Sequence, residues 1–317
     1  MQEADTATRY RRFAEIEVRT FSPSYERLCL GVAGDATLLA RLAELRPPKR
    51  QPNLLLAAVR FLGGPVGSYP AFRDFVLTRW DDVATTMQAR RTQTNEAGRC
   101  APMLPALAAL PQPLALIEVG ASAGLCLYPD RYAYRYTLGG QEHRVGKSPV
   151  ELRCVADGPV PLPCAVPQIA WRAGLDLNPL GVRDDEDVRW LESLIWPEQS
   201  ERFDVLRGAV ELARADPPRI VRGDLLRDLP ALAAEAPDAA TLVVFHTAVL
   251  GYVDAIGRTA FTETMRALDA TWISNEMRGL VPGTDIDTGG AARIVIACDQ
   301  QPLALAGGHG QSLTWLS

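Results

Sequence analysis

The sequence predicts an α/β fold: a mostly parallel, doubly wound sheet closed by a C-terminal antiparallel hairpin and preceded by an α-helical N-terminal domain. Three observations predict it. Residues up to about 110 carry apolar side chains at three- and four-residue steps, with no β-alternating run. From Leu114 onward short apolar runs alternate with helical patterns, which implies a parallel sheet covered on both faces. The runs in this part are followed by Gly120, Asp176, Asp224, His246 and Glu276, at the edge where such sheets bind ligands.

The helical part is read in order. Ala7–Phe21 places Tyr10, Phe13, Ile16 and Val18 near helical spacing, and Ser22-Pro23 stops it. Ser24–Val32 follows, then Asp35–Leu45 with Asp35 as N-cap and Pro47-Pro48 as terminator. Asn53–Leu62 is an apolar helix ended by Gly63-Gly64-Pro65, and Tyr69–Arg90 is the longest helical pattern. The domain boundaries predicted are 1–110 for this helical cap domain and 111–317 for the α/β domain.

The second part opens on a buried strand, Leu114–Val119, a tight turn from Gly120 to Gly124, and the start of a helix. Glycines there allow close backbone approach, and a helix start offers free N–H groups. Tyr132–Leu138 and Glu142–Val145 flank Gly139-Gly140, so a hairpin insertion is placed at about 131–167, including a Pro-rich run. Strands are then expected at 168–176, 218–224, 241–246 and 270–276, with helices at 187–215 (broken at Pro197), 225–236 and 254–268 between them. Ala292–Cys298, Pro302–Ala306 and Ser312–Leu316 are the closing strands.

Bulk properties exclude several classes. The net charge of −5 argues against a broad nucleic-acid footprint. Every long apolar stretch is interrupted by Arg, Asp, Pro or Gly, and the N-terminus does not resemble a signal peptide, so a cytoplasmic protein without membrane spans is expected. The six cysteines form no CxxC pair and there are three histidines, so no metal site is expected.

Two chemistries fit the first turn. Glu118-x-Gly120-x-x-x-Gly124 suits a nucleotide-type cofactor, while Gly120-x-Ser122-x-Gly124 matches the nucleophile elbow of a serine hydrolase. The hydrolase reading needs a Gly-rich oxyanion loop upstream, which the helical part lacks, and a long helix after the elbow, which Pro129 cuts short. A late histidine at Gly307-Gly-His-Gly310 keeps it as the alternative. Glu118 inside an apolar strand implies a partner, since a buried carboxylate is costly without one.

The motifs Thr94-Asn-Glu-Ala-Gly-Arg99, Leu116–Leu125, Trp196-Pro-Glu-Gln199 and His246-x-x-Val-Leu-x-Tyr252 resemble those of an uncharacterised bacterial family known as a domain of unknown function, over nearly the whole chain. At one remove, the C-terminal part resembles Rossmann-like S-adenosylmethionine-dependent methyltransferases, with Ser122 in place of the middle glycine of their turn. That resemblance implies S-adenosylmethionine held by Glu118, Gly120, Ala121, Ser122, Gly124, Asp176, Asp224 and Leu225. The strand ends and the polar link upstream of the turn point to a small-molecule acceptor shaped by Asn95, Glu96 and Arg99, with His246, Tyr252 and Glu276 as the catalytic set and His246 either general base or a structural histidine donating to a carbonyl. The fourth strand ends in Phe-His-Thr and lacks the Asn/Asp-Pro-Pro-Tyr type of sequence, so transfer to a nucleic-acid base amine is not implied. A cofactor-binding regulatory module without turnover is the non-enzymatic alternative.

Overall fold

A computed structural model describes residues 2–289 and 294–316. The chain divides into two compact units. Met1–Thr94 and Asp184–Asp204 form one; Asn95–Arg183 and Val205–Ser317 form the other. The division therefore differs from one at 110: Asn95–Leu110 belongs with the sheet, and a segment from the middle of the chain returns to the helices.

The first unit is helical, as expected. Pro23–Gly34 starts at Ser22, whose hydroxyl accepts the Tyr25 amide at 3.3 Å, and Ala36–Ala43 starts at Asp35, whose Oδ1 accepts the Leu38 amide at 3.0 Å. The long helical pattern is two helices, Tyr69–Thr78 and Trp80–Ala89, separated at Arg79, where the backbone leaves the helical region. The returning segment carries the Trp196-Pro-Glu-Gln199 motif. Trp196 meets Phe13 edge to face and Phe21 and Tyr25 at a tilt, and Glu198 accepts the Ser22 hydroxyl and the Ser24 amide at 2.9 Å. The motif thus ties the start of one helix to a segment more than 170 residues away in sequence.

The second unit is built on an 11-stranded sheet. Its strands are β1 (Leu114–Val119), β2 (Ala133–Leu138), β3 (Gln141–Val145), β4 (Glu151–Asp157), β5 (Ile169–Asp176), β6 (Arg219–Arg222), β7 (Thr241–Thr247), β8 (Thr271–Met277), β9 (Ile294–Cys298), β10 (Gln301–Ala306) and β11 (Ser312–Trp315). The order is β3-β2-β4-β11-β10-β9-β8-β7-β1-β5-β6. From β6 to β8 every neighbouring pair is parallel, in the doubly wound order third, second, first, fourth, fifth. β9, β10 and β11 then run antiparallel in succession. The hairpin β2–β3 turns on Gly139 and Gly140, both at positive φ. β4, which the Pro-rich stretch concealed, joins that hairpin to β11 through parallel ladders. Residues 292 and 293 of the predicted closing strand lie outside the described residues.

Alternation along the central strands separates two faces. Ile117 and Val119 of β1, Val244 of β7 and Trp272 of β8 pack with Phe261, Met265, Leu229 and Leu232 from the helices Ala255–Ala267 and Leu229–Ala233. Glu118 and Asp176 project from the other face, because Glu118 pairs with Gly174 and Asp176 lies two residues beyond it. Among the described residues, no helix is long and apolar enough to cross a membrane.

Candidate functional site

Crossovers leave β1 and β7 in opposite directions, so the crevice lies outside their carboxyl ends. The turn after β1 runs through Gly120, Ser122 and Gly124, all at positive φ (73°, 52° and 73°). Two of these positions require glycine for space as well as dihedral freedom. A Cβ on Gly120 would run into the Val249 side chain, and one on Gly124 would stand 2.8 Å from Pro218.

A helix does not follow the turn. Leu125–Leu127 is a single 3-10 turn, because Tyr128-Pro129-Asp130 ends it at once. The amides of the turn are also spoken for. Gly120 donates to Leu175 O (2.8 Å), Ser122 to Asp176 Oδ2 (2.8 Å), Gly124 to Ala121 O (2.7 Å) and Leu125 to Asn95 Oδ1 (2.7 Å). These four amides are therefore not free to meet a ligand as helix-start N–H groups would be.

Asp176 fixes the turn. Besides Ser122 it accepts the Asn178 amide on Oδ1 at 2.7 Å. A residue expected to hold a ribose thus holds backbone on both oxygens. Asp224 takes the Leu226 amide at 2.8 Å and donates its own amide to Asp228 Oδ2 at 2.6 Å, which makes it a turn residue of its own loop. Leu225 packs against the hydrophobic core.

Glu118 is the unusual group. It is 0 % exposed, and among the described residues neither Oε1 nor Oε2 meets a partner at good hydrogen-bond geometry, although the Cys126 thiol lies beside it. Burial pushes its pKa well above the ordinary carboxyl value; the neighbouring Cys126 thiol and Asp176 add to this, against the opposing pull of Arg99. Burial thus favours the neutral acid, a form that can both donate and accept a hydrogen bond.

The Asn95–Arg99 stretch folds beside it. Arg99 donates from Nε to Gly308 O (3.0 Å) and from Nη1 to Thr247 O and Oγ1 (3.1 and 3.2 Å), bridging the end of β7 and the 307–310 loop. Gly98 is required by that bridge, since a Cβ there would stand 2.5 Å from His309 O. Glu96 Oε1 lies 3.6 Å from His309 Nδ1, and the His309 ring is partly exposed. Asn275 of β8, which the sequence did not single out, pairs with Thr247 on the same face, fully buried, with Oδ1 unpartnered. A polar residue at the alternation position of a buried strand was the available signal.

His246 lies on the opposite face. Its Nε2 accepts the Trp272 indole N–H at 2.9 Å, and its Nδ1 lies 2.8 Å from Glu276 Oε1. That same oxygen accepts the amides of Val249 (2.7 Å) and Leu250 (3.0 Å), just past Ala248 at φ 56°. Both ring nitrogens are engaged within the protein and the residue is 0 % exposed. The His246–Glu276 pair, expected as catalytic, instead holds the β7 turn that packs on Gly120. Tyr252 is 72 % exposed on the turn Leu250–Tyr252 and joins neither cluster.

Residues 7–315 match the profile of a family described as "Uncharacterized protein conserved in bacteria (DUF2332)". The chain belongs to this family. The family's match spans both compact units. Comparison with curated proteins gives no match.

Proposed function

We propose that the α/β unit binds a nucleoside-type cofactor, S-adenosylmethionine being the candidate, and methylates a small-molecule acceptor. One observation carries the proposal: at the switch point of a doubly wound sheet, the strand leading into the turn holds a buried carboxyl with no partner of its own. A ligand N–H or ammonium is its complement. S-adenosylmethionine supplies both that amine and an electrophilic methyl group.

In this reading Asp176 and Asn95 keep the turn in shape through Ser122 and Leu125, and Gly120 and Gly124 let it pack closely against Val249 and Pro218. Methyl displacement needs chiefly an aligned acceptor, and a base where the acceptor carries a proton. Among the candidates, His309 suits that role better than His246: a carboxylate flanks its Nδ1 and its ring reaches solvent. Arg99 and Asn275 supply further polar contacts on the same face of the sheet.

Calorimetry with S-adenosylmethionine, S-adenosylhomocysteine and NADH tests the reading. Binding of the two sulfur nucleotides, weakened in Glu118→Gln, is the expected result; no heat from either would sink it. Binding without turnover on any acceptor pool would favour the regulatory module. The left-handed backbone at Ser122 (φ 52°) favours one second reading, a strained serine nucleophile. Labelling of Ser122 by a fluorophosphonate would promote it.

A further inference from the structure

Of the six free cysteines, Cys100 and Cys126 meet each other inside the α/β unit. Cys100 is the first residue of the helix Cys100–Ala108, and Cys126 lies in the single turn Leu125–Leu127 after β1. Their thiols are within hydrogen-bonding reach of one another. Cys100 Sγ also donates to Cys126 O at 3.4 Å, and Cys126 Sγ donates to Glu96 O at 3.3 Å. Both residues are buried.

The backbone beside each thiol is pinned. Tyr132 donates its hydroxyl to Leu125 O at 2.7 Å, next to Cys126, and Tyr136 donates to Ala101 O at 2.6 Å, next to Cys100. Tyr136 belongs to β2, whose ladders to β3 and β4 hold it in the sheet. The Leu125 amide is held in turn by Asn95 Oδ1. Two thiols fixed in this way need not find each other first, which is the step that costs entropy in a mobile chain.

We propose that Cys100 and Cys126 are a redox pair that hydrogen peroxide converts into a disulfide, stapling the helix Cys100–Ala108 to the turn after β1. A single buried thiol is inert, but a second thiol in contact gives it a product that needs no further room. Burial also selects the oxidant, which must be small and uncharged. Hydrogen bonding to Cys100, and then burial, push the Cys126 pKa well above the usual thiol value. Cys126 therefore keeps its proton, which leaves Cys100 as the attacking thiol. Its sulfur breaks the O–O bond and becomes a sulfenic acid, and the displaced oxygen leaves as water with the Cys100 proton. The Cys126 sulfur then attacks that sulfur. The S–O bond breaks, the S–S bond forms, and the hydroxyl leaves with the Cys126 proton as a second water. One peroxide thus takes two electrons from two thiols. This step does not depend on the cofactor reading.

The test treats the full chain with hydrogen peroxide, blocks the remaining thiols with N-ethylmaleimide and maps unreduced peptides by mass spectrometry. A peptide linked through Cys100 and Cys126, and released by dithiothreitol, is the expected result. The staple should also raise the thermal midpoint of the oxidised protein by about 5 °C. Cys100→Ser and Cys126→Ser keep a donor for the same carbonyls and should show neither the link nor the rise. Exposed Cys164 reports that peroxide has acted. Oxidised Cys164 with Cys100 and Cys126 still free overturns the proposal, as does a link from either to another cysteine such as Cys154. So does a link that forms only after unfolding in urea. A midpoint that rises equally in the two variants would remove the staple.

Discussion

Asp176 and Ser122 are 54 residues apart in sequence, yet Asp176 Oδ2 accepts the Ser122 amide at 2.8 Å. That bond clamps the end of β5 to a non-glycine residue at φ 52° in the turn after β1. Removing the Asp176 side chain frees the turn from its imposed shape and leaves one buried and one part-buried amide short of an acceptor. Asp176→Ala should therefore cost about 1–3 kcal/mol in chemical denaturation. Asp176→Asn, which keeps one acceptor oxygen, should recover part of that loss. Equal stability of Asp176→Ala and the wild type would remove the clamp.

Glu118 makes a prediction with the opposite sign. Below the ordinary carboxyl value of 4.5 both folded and unfolded chains hold this proton, so its site contributes no penalty. As the pH rises above that value the unfolded chain ionises while burial keeps the folded carboxyl neutral, and stability falls. It goes on falling until the folded group itself ionises. Glu118→Gln cannot ionise, so its stability relative to the wild type should grow by about 1.4 kcal/mol per pH unit through that window. Thermal or denaturant midpoints from acid to neutral pH measure the difference. A difference independent of pH would mean that Glu118 is charged in the folded protein.

His246 should behave as a structural residue. His246→Ala opens a cavity beside Phe261 and Trp272 and leaves the Trp272 N–H and one Glu276 bond unmet. A loss of about 3 kcal/mol is expected. Full retention of stability with abolished turnover would instead mark the ring as acting on a ligand.

The Glu198 clasp in the helical unit titrates in the other direction from Glu118. Burial alone would raise its pKa, but the hydrogen bonds from Ser22 and Ser24 outweigh that and lower it. Its contribution is present above the ordinary value and is lost as the pH falls through the lowered one. Glu198 is exposed, so screening limits the effect to about 1 kcal/mol or less. Glu198→Gln should be less stable than the wild type at neutral pH and should converge with it in acid.

Gly98→Ala probes the join between the Asn95–Arg99 stretch and the 307–310 loop. The added methyl would meet His309 O, so the loop must shift and the Arg99 bond to Gly308 must lengthen. A cost of about 1–3 kcal/mol is expected. Amide exchange should show faster opening at 307–310, whereas an unchanged exchange pattern would deny the join.

Much of the fold was legible in the sequence because it is local. Helical spacing located the helices before Thr94, Asp35 announced its cap, and Gly139-Gly140 announced a hairpin. An apolar run before a glycine turn located β1, and apolar runs with a polar terminal residue located β5, β7 and β8. Where local signals competed, the reading failed. Pro-rich flanks hid β4, whose strand is stabilised by ladders to β2 and β11, and Tyr128-Pro129 stopped the helix expected after Gly124.

The residues of the site were named by the sequence, but their partners were not. The sequence by itself determined that Glu118, Asp176, His246 and Glu276 stand at or near strand ends. Only the tertiary structure decided that Asp176 is spent on Ser122, that His246 and Glu276 serve each other across two strands, and that Glu118 is left alone. The physical reason is register. A strand's alternation assigns side chains to two faces, but which face is which, and what comes from 30 or 54 residues away to meet them, is set by pairing and packing.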